Sequence, residues 1–315
     1  MKNGKFYERL KSFREEGELT AFNLACVAEA LDIVSDLKEK NVGGETVEKR
    51  LGEFKSWDPE VFKVDKDAEN SYRARLEERG GPAVLLSEEV ERLEINPRAK
   101  GDLLYAVCDP FDGSYLFKRG IPDFWYSSLA FFGSDTKPRT CAVGDAVNRV
   151  IAFANEKGAF LGTLGGGGFN HRFQLNAEYR KHMGRKEIGS LEEASIESYA
   201  MKPKKYLLPL VDEFRLLMEP FKFFLPNGGP YGFVDVAEGK IDVYFARKQP
   251  FVDVFSGIFI AEQAGAIVTD FEGKSVRFVD NVKSVFDVVA STSEAVHKKV
   301  LERIGQCKRA WEERK

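Results

Sequence analysis

Asp109-Pro110-Phe111-Asp112-Gly113-Ser114 sets two carboxylates three residues apart at the end of an apolar run, Leu103 to Cys108. Pro110 fixes the turn, and Gly113 lets the backbone approach a ligand closely. Such a turn can aim both acids and an intervening backbone carbonyl at one point, the oxygen set that a hard cation such as Mg²⁺ wants. The backbone N–H groups after Gly113 could hold an anionic oxygen. Three more acidic segments invite the same question. Glu88-Glu89 closes the apolar run Ala83 to Leu86, Asp253 lies between two apolar stretches, and Asp65 sits in Lys63-Val-Asp-Lys-Asp-Ala-Glu69. Each also has an ordinary alternative: an Asx turn, a solvated loop, a helix cap and a charged surface stretch. Other chemistries lack their residues. There is no Cys-x5-Arg loop, and His171, His182 and His297 form no HExxH or paired cluster. They read as surface or core residues. The glycines from Gly162 to Gly168 are followed by no Gly-Lys-Ser/Thr, so they read as a linker or surface loop.

The elements that position these acids follow from periodicity. Thr20 to Lys40 reads as an amphipathic helix with Leu24, Val27, Leu31 and Val34 on one face. Glu45 to Val64 is charged and irregular and reads as a mobile loop. Ala68 to Arg79 is a second helix. Ala83 to Leu86 and Leu103 to Cys108 read as buried strands with carboxylates at their C-terminal ends. Further strands are expected over 127–132, 139–146, 150–155 and 159–161. Beyond the glycines, Ile241 to Ala246 reads as a strand, Val254 to Ala264 as a helix and Val285 to Ala290 as a buried strand. A last helix opens on a capping box, Ser291 to Glu294, and carries Val296, Val300, Ile304 and Trp311 along one side.

With 315 residues and 43% hydrophobic content, the chain has material for a real core. Its 47 Lys and Arg nearly balance 50 Asp and Glu, which argues against nucleic acid as a partner. Cys26, Cys108, Cys141 and Cys307 stand alone, as in a reducing compartment. No apolar leader or membrane span stands out, so a cytoplasmic protein is expected.

Jointly, the acidic segments resemble the inositol monophosphatase family of Mg²⁺-dependent phosphatases, whose superfamily includes fructose-1,6-bisphosphatases and nucleotide 3′-phosphatases. Asp109 to Ser114 matches the family's Asp-Pro-x-Asp-Gly-Ser/Thr, and Glu88-Glu89 its upstream acidic pair. Asp65 and Glu69 match its Asp and the Glu four residues on. Asp253 to Gly257 followed by Glu262-Gln-Ala-Gly265 matches its C-terminal motif. The resemblance spans roughly Leu19 to Ile304. It implies an α/β fold, a layered αβαβα sandwich, as one phosphatase domain with halves at about 1–165 and 185–315 and the site between them. It implies Glu88, Asp109, the carbonyl of Phe111, Asp112 and Asp253 as ligands of two or three Mg²⁺, with Mn²⁺ as a substitute. Asp65 and Ser114 would position the attacking water, with Glu88 in the catalytic set. Asp112, Gly113, Ser114 and Asp253 would face the substrate, a small phosphorylated sugar or polyol. A homodimer is implied as well.

The sequence departs from the family at three informative places. Val252 replaces the Trp before the C-terminal Asp, and the Thr before Asp65 is missing. Ala246 stands where inositol-selective members carry a hydroxyl-binding Glu. Arg247 and Lys248 follow it, so Arg247 is expected to hold a distal phosphate, or both cations are solvated charges at a strand end. Asn227-Gly-Gly-Pro-Tyr231 is expected to line the same pocket, with Asn227 on the substrate. A 3′(2′),5′-bisphosphate nucleotidase and a catalytically idle phosphate-binding relative stay open as alternatives.

Overall fold

The computed structural model describes residues 2–50 and 59–314. Helix α1 (Lys2–Ser12) leads into α2 (Glu18–Glu39), on which Leu24, Val27, Leu31 and Val34 are fully buried. The side-chain amide of Asn23 donates to the carbonyl of Leu129 at 3.0 Å and ties α2 to the sheet beneath. Two short strands, β1 (Thr46–Lys49) and β2 (Glu60–Phe62), then pair antiparallel. The segment expected to be an irregular loop is therefore a hairpin where it is described, and 51–58 lies outside the described residues. Every residue of β1 is exposed, so the strand carries none of the apolar alternation that would betray it in sequence. Helix α3 (Lys63–Arg79) follows, starting five residues earlier than its pattern suggests.

The first large sheet has eight strands in the order β10-β9-β8-β7-β6-β5-β3-β4. They are β3 (Ala83–Ser87), β4 (Glu91–Ile95), β5 (Leu104–Asp112), β6 (Tyr126–Gly133), β7 (Pro138–Asp145), β8 (Val150–Asn155), β9 (Gly158–Leu164) and β10 (Phe169–Leu175). All neighbours are antiparallel except β3 and β5, which run parallel and so end side by side. The glycine-rich segment is no linker. Gly162 lies inside β9, and Gly165 N–H donates to the Gly168 carbonyl at 2.7 Å, closing a hairpin turn.

The second sheet, β12-β11-β13-β15-β14, is mixed. It contains β11 (Ser195–Glu197), β12 (Phe223–Leu225), β13 (Val243–Pro250), β14 (Ile267–Asp270) and β15 (Val285–Ser291). Helices α6 (Leu208–Met218) and α10 (Glu294–Glu312) cover one of its faces, and α7 (Pro230–Glu238), α8 (Phe251–Phe255) and α9 (Ile258–Gln263) lie between the sheets. Helix α5 (Ala177–His182) bridges the two halves of the chain. The layers are thus helix, sheet, helix, sheet, helix, the αβαβα sandwich. Three apolar clusters fill the gaps. Cys26 and Cys108 lie in the first, Cys141 in the second and Cys307 in the third, all four as buried free thiols.

Two later helix boundaries also differ from the sequence pattern. The expected helix 254–264 is broken at Gly257, where the backbone passes so close to the Pro230 carbonyl that a Cβ would stand 2.5 Å from its oxygen. Helix α10 is capped by Ser293, whose hydroxyl accepts from Val296 N–H, rather than by Ser291. Ser291 ends β15, where its hydroxyl meets the His297 ring. No described helix is long and apolar enough to cross a membrane.

Candidate active site

Asp109 and Asp112 would face opposite sides of a regular strand, since side chains alternate. In the β5–β6 ladder, however, Asp109 pairs with Ser128 and Asp112 with Tyr126, so three steps on β5 match two on β6. This bulge re-aims the end of the strand and brings both acids to one side. Its backbone is held from below. Ser127 Oγ donates to the Pro110 carbonyl at 2.6 Å, and the Tyr72 hydroxyl lies 2.6 Å from that Oγ. The chain then turns at Gly113 with φ 101°, where a Cβ would collide with the Phe124 carbonyl, and enters α4 (Ser114–Lys118). Phe111 buries its ring against Phe117, and its carbonyl accepts from Ser114 Oγ at 3.2 Å.

Asp65 reaches this turn from α3. Its Oδ2 accepts from the Phe62 backbone N–H at 2.8 Å, which caps the helix, and its Oδ1 accepts from Ser114 Oγ at 2.6 Å. Asp65 is thus no part of a charged surface stretch: it is buried, with one oxygen on the helix cap and the other on Ser114. Burial, then the charge of Glu89, raises the Asp65 carboxyl to about 8, against the pull of Ser114, Phe62 N–H and Arg50. Glu69, one turn along α3, accepts from Ser87 Oγ and so braces the end of β3 just before Glu88-Glu89.

Asp109 is driven well above the usual carboxylate range by burial, then by the charges of Asp112, Glu88, Asp253 and Asp65. Asp253, in the first turn of α8 where β13 ends, is raised by burial and then by Asp112 and Glu88. Five acids from three separate stretches of sequence and α3 thus share one field. Asp112 Oδ2 packs against Gly229, whose φ of 65° leaves the room a Cβ would take. That contact joins the β5 turn to the loop before α7.

Among the described residues, no three of these side chains are drawn tightly enough together to form a ready-made chelate. Buried like charges hold apart, so the donor chemistry is the better guide here. Carboxylates and one peptide carbonyl, with no nitrogen or sulfur among them, fit a hard divalent cation.

Arg247 and Asn227, both expected at the substrate, are held by partners within the protein. Arg247 is buried and bidentate to Glu213 on α6, with Nη2 2.6 Å from Oε1 and Nε 3.1 Å from Oε2. Its guanidinium is committed, so it is neither a solvated charge nor open to a distal phosphate. Asn227 is also buried, and its amide donates to the Tyr126 hydroxyl at 3.4 Å. The cations that the Asp253 carboxyl feels are Lys205 and Lys202. Nothing in the sequence marked them, because Lys-Pro-Lys-Lys reads as solvated charge. Arg50, which lies against Glu88 and Glu89, was missed for the same reason. A further buried pair, Glu197 on β11 and Asp235 on α7, lies behind Asn227. Burial and Asp235 hold Glu197 well up, and burial raises Asp235 to about 7.

Comparison with known proteins gives a single family. A sequence model of the inositol monophosphatase family matches residues 15–309. The fructose-1,6-bisphosphatase of Pyrococcus furiosus is 29% identical over 276 residues, covering 86% of this chain and 95% of that protein. A fructose-1,6-bisphosphatase/inositol-1-monophosphatase of Methanothermobacter thermautotrophicus is 22% identical, covering 76% of this chain and 82% of that protein. Among solved structures, the extragenic suppressor protein suhB from Bartonella henselae superposes with a TM-score of 0.68 at 20% identity, covering 91% of this chain and 98% of that one. A Thermotoga maritima IMPase gives 0.67 at 20% identity, with 92% and 98% covered. At these identities the structural likeness is one of fold.

Proposed function

The chain belongs to the inositol monophosphatase family, and from that premise we propose that this phosphatase hydrolyses small sugar or polyol phosphates, fructose 1,6-bisphosphate and inositol 1-phosphate in particular, with Mg²⁺ as cofactor. The observation that carries the reading is the 2.6 Å contact of Ser114 Oγ with Asp65 Oδ1, set beside acids that press on Asp109 from every side. The names of the relatives support the pair of substrates.

Glu88, Asp109 and the Phe111 carbonyl would hold one cation, and Asp109, Asp112 and Asp253 a second. When bound, the cations would supply the positive charge that activates water and stabilises the phosphoryl and leaving oxygens. The remaining work falls to the chain. Asp65 fixes Ser114 Oγ through Oδ1, and together they orient the attacking water. Gly113 opens the turn so that its own N–H and that of Ser114 can meet phosphate oxygens. Lys202 and Lys205, whose charges reach Asp253, would be the cations to meet a second phosphate. With the family reading go a homodimer, a cytoplasmic setting and Mn²⁺ as a substitute metal.

Phosphate release from inositol 1-phosphate, fructose 1,6-bisphosphate and 3′-phosphoadenosine 5′-phosphate tests this. Release from the first two should vanish in EDTA and return with Mg²⁺. Asp109→Asn should lose most activity while keeping its circular dichroism spectrum. Preference for the nucleotide would overturn the substrate assignment, and full activity in Asp109→Asn would overturn the metal assignment.

A further inference from the structure

Arg50 follows β1 directly, and its backbone N–H donates to the Pro59 carbonyl at 2.9 Å, so hairpin pairing continues one residue past the strand. β1 itself is exposed throughout, yet the Arg50 side chain just past it, only 8% exposed, is turned inward. Its guanidinium spans Glu89, with Nη2 on Oε1 and Nε 3.4 Å from Oε2, and the same Nη2 lies 3.6 Å from Glu88 Oε2. These two acids serve different parts of the site. The charge of Glu88 falls on Asp109 and Asp253, and that of Glu89 on Asp65. One side chain from a peripheral hairpin therefore touches both.

A guanidinium fork and a hard divalent cation seek the same carboxylate lone pairs, and two cations on one carboxylate oxygen repel at close range. We infer that Arg50 is a built-in counter-cation of the acidic site that competes with the divalent metal ion for Glu88. The inference rests on the metal-site reading above and adds to it a residue that sets metal affinity without being a ligand. Arg50 neutralises part of the acid cluster, which favours the folded protein, and the first metal ion must bind to a Glu88 carboxylate that already has a cation 3.6 Å away. Affinity is then tuned by the hairpin as well as by the ligands, and a high free-metal concentration is needed to load the site.

Calorimetric titration with Mg²⁺, checked by Mn²⁺ binding in electron paramagnetic resonance, tests this with no reference to turnover. Arg50→Gln should bind about tenfold more tightly than wild type, equivalent to about 1.4 kcal/mol. Arg50→Lys keeps the charge and should stay within about threefold of wild type, a difference under 1 kcal/mol. In EDTA, Arg50→Gln should melt below wild type, and saturating Mg²⁺ should narrow the gap. Unchanged or weaker binding by Arg50→Gln overturns the competition, and so does an equal gain in both variants. Failure of the wild-type protein to bind either metal overturns the metal-site reading itself, and this inference with it.

Discussion

Asp65 accepts two good hydrogen bonds, yet its carboxyl is pushed up to about 8, because burial and the charge of Glu89 outweigh them. Asp109 and Asp253 are pushed in the same direction. The sign follows from linkage. A carboxyl whose folded pKa lies above its unfolded value contributes stability that is full below about pH 4 and is lost as pH rises through its folded value, here about 8. In EDTA the urea midpoint should therefore fall between about pH 4 and 8, and fall less in Asp65→Asn. Mg²⁺ binding at pH 7 should release protons, measurable by calorimetry in buffers of different ionisation enthalpy, and Asp65→Asn should release fewer. A flat midpoint, or no proton release, would contradict the buried acid set. The acids themselves were legible in the sequence because Asp-Pro-Phe-Asp-Gly-Ser is a local pattern at a strand end. Arg247 was misread because its partner, Glu213, lies 34 positions upstream on a helix that only the fold brings alongside. A charge at a strand end does not reveal whether a distant carboxylate will claim it.

The β5 bulge and the Gly113 turn are one device, since the first aligns the two aspartates and the second releases the chain into α4. Gly113→Ala would force a side chain into the left-handed region, at about 1–2 kcal/mol, and drive its Cβ into the Phe124 carbonyl. Destabilisation of about 2 kcal/mol or more, with phosphatase activity lost, is the expected result, measured as a shift in urea midpoint. Stability and activity like the wild type would show that the turn tolerates a Cβ. Elements with a buried stripe, such as α2 with Leu24, Val27, Leu31 and Val34, could be read directly from spacing. The β1–β2 hairpin could not, because β1 is exposed throughout, β2 is only three residues long, and their mutual pairing defines them. The break at Gly257 was hidden for a similar reason: the backbone there lies against the Pro230 carbonyl, 27 positions away.

The site draws its acids from both halves of the sandwich. Glu88 and Asp109 come from the parallel ends of β3 and β5, and Asp253 from the end of β13, with Gly229 closing against Asp112. The sandwich itself came from resemblance in the sequence. Composition and periodicity alone reached only strands and helices in sequence order, without the strand order that sets these ends side by side. The layering has one more consequence, carried by the thiols. Burial raises the pKa of all four cysteines, so in the native state they are neutral and shielded, poor nucleophiles on two counts. Alkylation by iodoacetamide then becomes a clock for opening. Because Cys26 and Cys108, Cys141 and Cys307 sit in three different apolar layers, the order in which they gain mass reports which layer parts first. A cooperative unfolding would label all four together, and a peeling C-terminal layer would label Cys307 alone.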